Sequence, residues 1–466
     1  MSRDRLAFPP GFLWGAATSA FQIEGSPLAD GAGPSNWHLF AHTPGRIHGG
    51  DTGDLACDHY RRVDEDVALM GELGLQAYRF SIAWGRVQPT GRGRVNGPGL
   101  DFYERLVDRL LAAGIRPYPT LHHWDLPAAL DEKGGWSNRD SAEWFADYAE
   151  LVFRRLGDRV ADWVTLNEPW VMVDGGYVHG VHPPGRSDLA GAPHAAHNLL
   201  RAHGGAVRRY RDLERRWRAD DRGRIGLVVN IEPKVPASSA AADLAAARRA
   251  DAYMNRQFIE PVFRGCYPAE LAEVYGRHWP EFPAGDFALI GEPIDFLGLN
   301  YYTRAVTRHE PAAPPAGAAT VRQPGAAYTA LDWEVHPDSL RETLVWLQER
   351  CGDLPIYITE NGAAFDDPAP TDDGAGGPRL ADRNRVDYYR AHLRAVAEAV
   401  ALGVDVRGYF AWSLLDNFEW AWGYAKRFGI VHVDFATQRR TIKDSGRFYR
   451  RVIETGGRAA LDEGEG

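Results

Sequence analysis

The chain is short of several residues that mark whole protein classes. Its three cysteines, Cys57, Cys266 and Cys351, stand far apart in 466 residues. They match no metal-ligand spacing and no disulfide framework, so they read as free thiols of a reducing compartment. Lysine occurs only at 133, 234, 426 and 443, and arginine carries nearly all the positive charge. That is a bias of composition and not a binding surface. Positive charge is in deficit, with a formal net charge of −10. A phosphate backbone finds nothing to attract it, so nucleic acid is not an expected partner. No stretch approaches the roughly 18 apolar residues of a membrane-spanning helix, and no membrane partner is expected. The opening MSRDRLAFPPGFLWG lacks the apolar core of a secretory leader. The expected location is therefore cytoplasmic. No G-x-G-x-x-G follows the first apolar segment and no HExxH occurs anywhere. Neither a nucleotide cofactor nor a metal is expected.

What is present is a recurring unit. Eight short apolar segments follow one another: Leu13–Phe21, Ala77–Trp84, Arg116–Trp124, Trp163–Glu168, Ile225–Ile231, Ile294–Tyr302, Pro355–Glu360 and Val406–Leu414. Most have the continuous apolar character of parallel strands buried on both faces. The intervening stretches carry helical periodicity. In His59–Gly74 the residues Tyr60, Val63, Val67, Met70 and Leu73 are spaced by three and four, and Gly74 stands where a helix-ending glycine belongs. Asn138 to Leu156, followed by Gly157, and Asp382 to Leu402, followed by Gly403, repeat the pattern. Strands alternating with helices give a parallel sheet with right-handed crossovers, and eight such units predict a single-domain (β/α)₈ barrel over residues 1–466. A short flexible tail is expected after about residue 457. Glu310–Ala327 and Asp366–Pro378, rich in Pro, Ala, Gly and Asp, each follow a strand and are expected as elongated loops on the barrel's C-terminal face, at the rim of a site.

The strand ends share a chemistry. They carry Gln22 and Glu24, then Trp84, then His122-His123-Trp124-Asp125, then Asn167-Glu168. Later ends carry Asn300-Tyr301-Tyr302, Thr359-Glu360-Asn361-Gly362, and Trp412 leading to Asp416-Asn417-Phe418-Glu419-Trp420. Strand two also holds Arg79. A lone glutamate at a strand tip is ordinarily just solvated. Here two segments match: Val164-Thr-Leu-Asn-Glu168-Pro and Tyr357-Ile-Thr-Glu360-Asn-Gly are each an apolar run, a glutamate and a breaker. Strands four and seven lie nearly opposite in a barrel, so both carboxylates can face one cavity. Paired carboxylates across a sugar-sized gap are the apparatus of glycoside hydrolysis.

At this point the chain resembles glycoside hydrolase family 1 β-glucosidases, from about Phe8 to Ile453. The residues that carry the resemblance are FLWGAATSAFQIEG (12–25), TLHHWDLP (120–127), TLNEP (165–169), FLGLNYYT (296–303), IYITENG (356–362) and WSLLDNFEWAWGYAKRFGIVHVD (412–434), in that order. The resemblance implies Glu360 as nucleophile and Glu168 as acid/base. It implies Gln22, His123, Asn167, Glu419 and Trp420 on the glycone hydroxyls, Trp412 as a platform under the sugar, and Trp170 on the aglycone side. Trp124 joins the binding set because it sits at a strand end beside polar residues. Arg79, Asn300 and Tyr302 would support the nucleophile. The implied partners are small-molecule β-glucosides, including cello-oligosaccharides, cleaved with retention. Assembly into a homo-oligomer is left open.

Two charges about 5.5 Å apart at an effective dielectric near 20 repel by roughly 3 kcal/mol, about 2 pK units. That suffices to keep Glu168 protonated while Arg79 and Tyr302 favour the charged form of Glu360. Strict alternation would put Asn167 and Glu168 on opposite faces unless the strand twists or ends there, which Pro169 encourages. By the same rule one of His122 and His123 faces the cavity and the other the helices. The resemblance also implies a cis Trp412–Ser413 bond. Rival readings are a β-galactosidase or β-fucosidase of the same family, a 6-phospho-β-glucosidase and a non-catalytic sugar-binding barrel. The phospho-sugar reading would want Ser at 419 and Tyr at 428, where Glu419 and Phe428 stand.

Overall fold

In the computed structural model, which describes residues 6–217, 223–372 and 378–462, eight parallel strands close into a barrel. They are β1 (Leu13–Ala17), β2 (Ala77–Ser81), β3 (Arg116–His122), β4 (Asp162–Asn167), β5 (Arg224–Asn230), β6 (Phe296–Asn300), β7 (Ile356–Asn361) and β8 (Val406–Trp412). Each pairs with its neighbours in chain order, and β8 closes on β1 through Leu13↔Gly408 to Ala17↔Trp412. This is the expected (β/α)₈ architecture, with every strand inside or within a residue of its predicted segment.

The helices follow from their spacing. α1 (His59–Glu72), α2 (Gly97–Ala112), α3 (Ser141–Leu156), α4 (Ala192–Trp217), α5 (Ala241–Met254), α6 (Pro337–Cys351), α7 (Arg383–Ala401) and α8 (Asp444–Glu454) include those predicted from periodicity. Gly74 (φ 71°) and Gly403 (φ 96°) end their helices in the left-handed region that only glycine enters without cost. Gly157 is different: at φ −69° it simply continues the helical backbone.

Two cores sit on either side of the strands. A large apolar layer joins strands to helices, for example Trp163 edge-on to Phe153 with centroids 4.9 Å apart. A smaller one fills the barrel: Tyr118, Val164, Val228, Phe296, Tyr357 and Phe410 are buried together, and Trp412 and Phe428 join them toward the C-terminal end. The barrel interior is a packed plug, so a cavity must lie at one of its ends.

Two loop expectations are corrected. Within Glu310–Ala327, Ala318–Thr320 forms a strand on Ala305–His309, which pairs in turn with Lys234–Pro236. Of Asp366–Pro378, Thr371–Asp372 pairs with Pro378–Arg379, Asp367 is tied by its carboxylate to Arg385 and Lys443, and residues 373–377 lie outside the described residues. Neither stretch lines the central cavity. Pairing and ion pairs hold them to neighbouring structure, which composition does not reveal. Of the tail expected after about residue 457, Arg458–Leu461 is helical with Ala460 fully buried, and residues 463–466 lie outside the described residues. No described helix is long and apolar enough to cross a membrane.

Candidate active site

A cavity of about 360 Å³ opens at the C-terminal ends of the strands. Glu168 and Glu360 line it together with His123, Trp124, Trp170, Asn300, Tyr302, Trp412, Glu419 and Trp420. Ten of the thirteen expected site residues therefore share one surface. The other three, Gln22, Asn167 and Arg79, are fully buried just behind it.

How both glutamates turn inward is decided by local breaks in the ladder. On β4 the pairing with β5 runs Val164↔Gly226 and then Asn167↔Val228, three residues against two. On β7 the pairing with β6 runs Ile358↔Leu299 and then Glu360↔Asn300, two against one. Each glutamate thus follows a bulge, which shifts the side-chain phase of its strand. Glu168 then adopts a left-handed backbone, φ 46° and ψ 66°, immediately before Pro169 opens a helical turn. Strand alternation no longer applies, and Asn167 and Glu168 can serve one site. Trp124 (φ 80°) and Trp420 (φ 48°) are left-handed too. Three uncommon non-glycine conformations on one cavity wall are the mark of a site whose surroundings over-determine it. Gly362 shows how tightly the end of β7 is held: a Cβ there would fall 1.7 Å from the Trp412 carbonyl oxygen.

Behind the wall, Asn167 is a hub. Its Oδ1 accepts from Arg79 Nη2 at 2.6 Å and from Asn300 Nδ2 at 3.0 Å, and its Nδ2 lies 3.0 Å from His123 Nε2. Arg79 Nη1 also donates to Glu360 Oε1 at 2.5 Å, and Tyr302 OH donates to Glu360 Oε2 at 2.5 Å. Asn300, fixed by Thr359 Oγ1 at 2.7 Å, donates to Glu168 Oε1 at 2.7 Å. Gln22 Nε2 donates to Asn417 Oδ1 and the Phe418 carbonyl and reaches Glu419 Oε2 at 3.5 Å. Gln22 and Asn167, expected on the glycone hydroxyls, lie just behind the wall, with amides that also reach Glu419 at 3.5 Å and His123 at 3.0 Å.

Electrostatics separate the two carboxyls. Only 5% of Glu168 and 3% of Glu360 is exposed. Burial and the Glu360 charge hold Glu168 well above the ordinary carboxylate range, with Asn300 and Arg79 only partly opposing them. Burial raises Glu360 as well, but Arg79 and Tyr302 work against it at contact distance. The shared proton therefore belongs on Glu168 and the charge on Glu360. Glu419 is pushed up to about 8, by burial first and then by Glu360.

The histidines divide as expected. His123 lines the cavity and stacks near Trp412 and Trp420, while His122 points to Trp84, Trp136 and Phe145 of the outer layer. The Trp412–Ser413 peptide is cis. Among the lining residues that were not foreseen, four stand out. Asn230 and Glu232 end β5, the one strand to which no site residue was assigned. Scoring Val228-Val-Asn230-Ile-Glu232 as an apolar run with a polar ending would have found them. Trp333 and the half-exposed Trp422 come from loops, where sequence offers only the presence of a tryptophan.

A closed barrel whose C-terminal mouth holds two buried, unequally supported glutamates between tryptophan walls is the framework of a glycosidase. The chain belongs to glycosyl hydrolase family 1, whose model matches residues 4–458. It is 49% identical to beta-glucosidase A of Thermotoga maritima over 97% of this chain and 98% of that protein. It is 48% identical to a 1,4-beta-D-glucan glucohydrolase of Thermotoga neapolitana, covering 97% and 99%. The solved beta-glucosidase from Thermotoga maritima in complex with deoxynojirimycin superposes with a TM-score of 0.92 at 49% identity, covering 97% of this chain and 99% of that one.

Proposed function

We propose that the whole chain forms one catalytic domain, a retaining β-glucosidase that removes terminal β-D-glucosyl residues from short β-glucosides and cello-oligosaccharides. The observation that carries this is the unequal pair: Glu360, with Arg79 and Tyr302 donating to it, faces Glu168, which burial and the Glu360 charge hold well above the ordinary carboxylate range. Glu360 attacks the anomeric carbon as Glu168 gives its proton to the departing glycosidic oxygen. The resulting glycosyl ester removes the Glu360 charge, so the pKa of Glu168 falls. Glu168 then takes a proton from water, which displaces the ester and restores both groups. Trp412 offers a flat face for the sugar's C–H groups, and Gln22, His123, Asn167, Glu419 and Trp420 meet its hydroxyls. Trp124 completes that wall and Trp170 faces the leaving group. A free exposed thiol at Cys266 fits a cytoplasmic setting. Among the described residues that line the cavity there is no lysine or arginine to meet a 6-phosphate. The galactosidase, fucosidase and non-catalytic readings gain no specific observation.

The test is turnover of nitrophenyl β-glucoside, followed by NMR of the first product. β-Glucose is expected before mutarotation. α-Glucose would refute retention, and no turnover would refute the substrate.

Tyr302→Phe removes one of the two contacts that favour the ionised nucleophile. The Glu360 pKa should rise, and because the ionised form is the active one, the acidic limb of kcat/KM should move to higher pH. A hydrogen bond to a charged group is worth about 1.5–3 kcal/mol, so kcat/KM should fall roughly 10- to 100-fold. An unmoved limb would take Tyr302 out of this role.

A further inference from the structure

A cluster that the glycosidase chemistry does not use lies in the connection between β1 and α1. The short helix Asn36–Ala41 starts at Ser35, whose Oγ accepts from the His38 N–H, and is capped by His42. His38 and His42 are four residues apart, so both rings leave one face, with centroids 4.3 Å apart. Asp54, further along the same connection, meets both. Its Oδ2 is 3.0 Å from His42 Nε2 and its Oδ1 is 3.6 Å from His38 Nδ1. One ligand atom from each of the three lies within 4.8 Å of the others.

Two further observations bear on what the cluster could hold. His42 Nδ1 sits 2.7 Å from the His38 carbonyl oxygen, which can only accept. Nδ1 therefore holds the proton, and in the neutral ring Nε2 aims a lone pair at the Asp54 carboxylate. Two acceptors 3.0 Å apart require a proton or a cation between them. An Nδ1–H to backbone carbonyl bond is also the outer contact that orients a metal-bound imidazole. In addition, His38 Nδ1 is buried without a hydrogen-bond partner.

We propose that His38, His42 and Asp54 bind a divalent late transition-metal ion, through His38 Nδ1, His42 Nε2 and one Asp54 oxygen. Tetrahedral ligands about 2.0–2.1 Å from zinc stand about 3.3–3.5 Å from one another. The 3.0 and 3.6 Å separations, one to each Asp54 oxygen, lie near that value, the three ligand atoms fall within 4.8 Å of one another, and side-chain rotations would bring one oxygen to both rings. Two imidazoles and a carboxylate suit zinc, nickel or copper and not magnesium or calcium. The His42 and Asp54 side chains are 40% and 48% exposed, so the ion can enter and keep a water as its fourth ligand. The ion would brace the scaffold of the site and take no part in the reaction. Trp37, next to His38, packs 4.5 Å from Trp420, and the Asp54 carbonyl accepts from Ser26 N–H at 2.7 Å. Such a site departs from the expectation of a metal-free protein.

The experiment titrates untagged, chelator-stripped enzyme with zinc chloride by calorimetry, with magnesium chloride as comparison. One zinc per chain, no magnesium, and a zinc-dependent rise in thermal midpoint are expected. His42→Gln and Asp54→Asn should each weaken zinc binding at least about 10-fold while leaving circular dichroism and glucoside turnover unchanged. His309→Ala, outside the cluster, should bind as the parent does. Cobalt should give the visible absorption of a tetrahedral site in the parent and lose it in both cluster variants. No zinc binding by the parent, or parent-like binding by His42→Gln and Asp54→Asn, would overturn the proposal.

Discussion

Glu360→Gln should lower kcat on an aryl β-glucoside by at least about 10⁴-fold, the scale on which removing a covalent nucleophile acts. The amide matches the carboxylate in size but carries no charge and attacks poorly. Its neighbours sharpen the expectation. Arg79 and Tyr302 both direct donors at Glu360, an arrangement that stabilises an anion and gains little from a neutral amide. A second consequence follows at Glu168, whose raised pKa owes part of its elevation to the Glu360 charge. In the variant that contribution disappears, so Glu168 should titrate at lower pH, readable by NMR of a labelled carboxyl. Near-parental turnover would end the assignment of Glu360. An unmoved Glu168 would mean that burial alone sets its proton affinity.

Glu168→Ala should behave differently from one substrate to the next. A general acid contributes about 10²–10⁴-fold when the leaving group needs a proton. Cellobiose, which leaves as an alcohol, should lose rate over that range. Dinitrophenyl β-glucoside, whose phenolate departs unaided, should form the glycosyl ester at nearly the parental rate. The pH profile supplies an independent check. Glu168 must be protonated to act, so in the parent kcat/KM falls as pH rises through its pKa. Without the carboxyl, that basic limb should vanish while the acidic limb set by Glu360 remains. Equal losses on the two substrates, with the basic limb intact, would place the acid elsewhere.

Much of this was legible because it rests on local rules. A strand buried on both faces must be apolar, and a helix facing it must repeat its apolar residues every three or four positions. Hence Trp163–Glu168 and His59–Gly74 declared their types without tertiary information. The paired motifs around Glu168 and Glu360 were legible for a related reason: proline or an Asn-Gly step after an apolar run marks where a strand ends, and barrel chemistry gathers at strand ends. Asn230 and Glu232 obey the same rule, and they escaped for want of applying it to β5. Trp333 and Trp422 obey no such rule. Their loops have no period, and only the folded barrel decides which loop residues reach the mouth.

The sequence by itself therefore determined the eight-unit barrel, the two glutamates and the aromatic, amide-rich character of the mouth, since each follows from periodicity, breakers or side-chain type. Only the tertiary structure decided how those groups point and which of them titrates. The bulges on β4 and β7 arise from pairing with neighbouring strands, and the left-handed Glu168 from the strand's end meeting Pro169. The division of labour between the carboxyls depends on what surrounds each at 2–3 Å. Arg79 on β2 reaches Glu360 on β7 across 281 residues of chain, a contact that only closure of the barrel brings about. The physical reason is one of range: hydrophobic period is written along the chain, whereas burial and charge act through space.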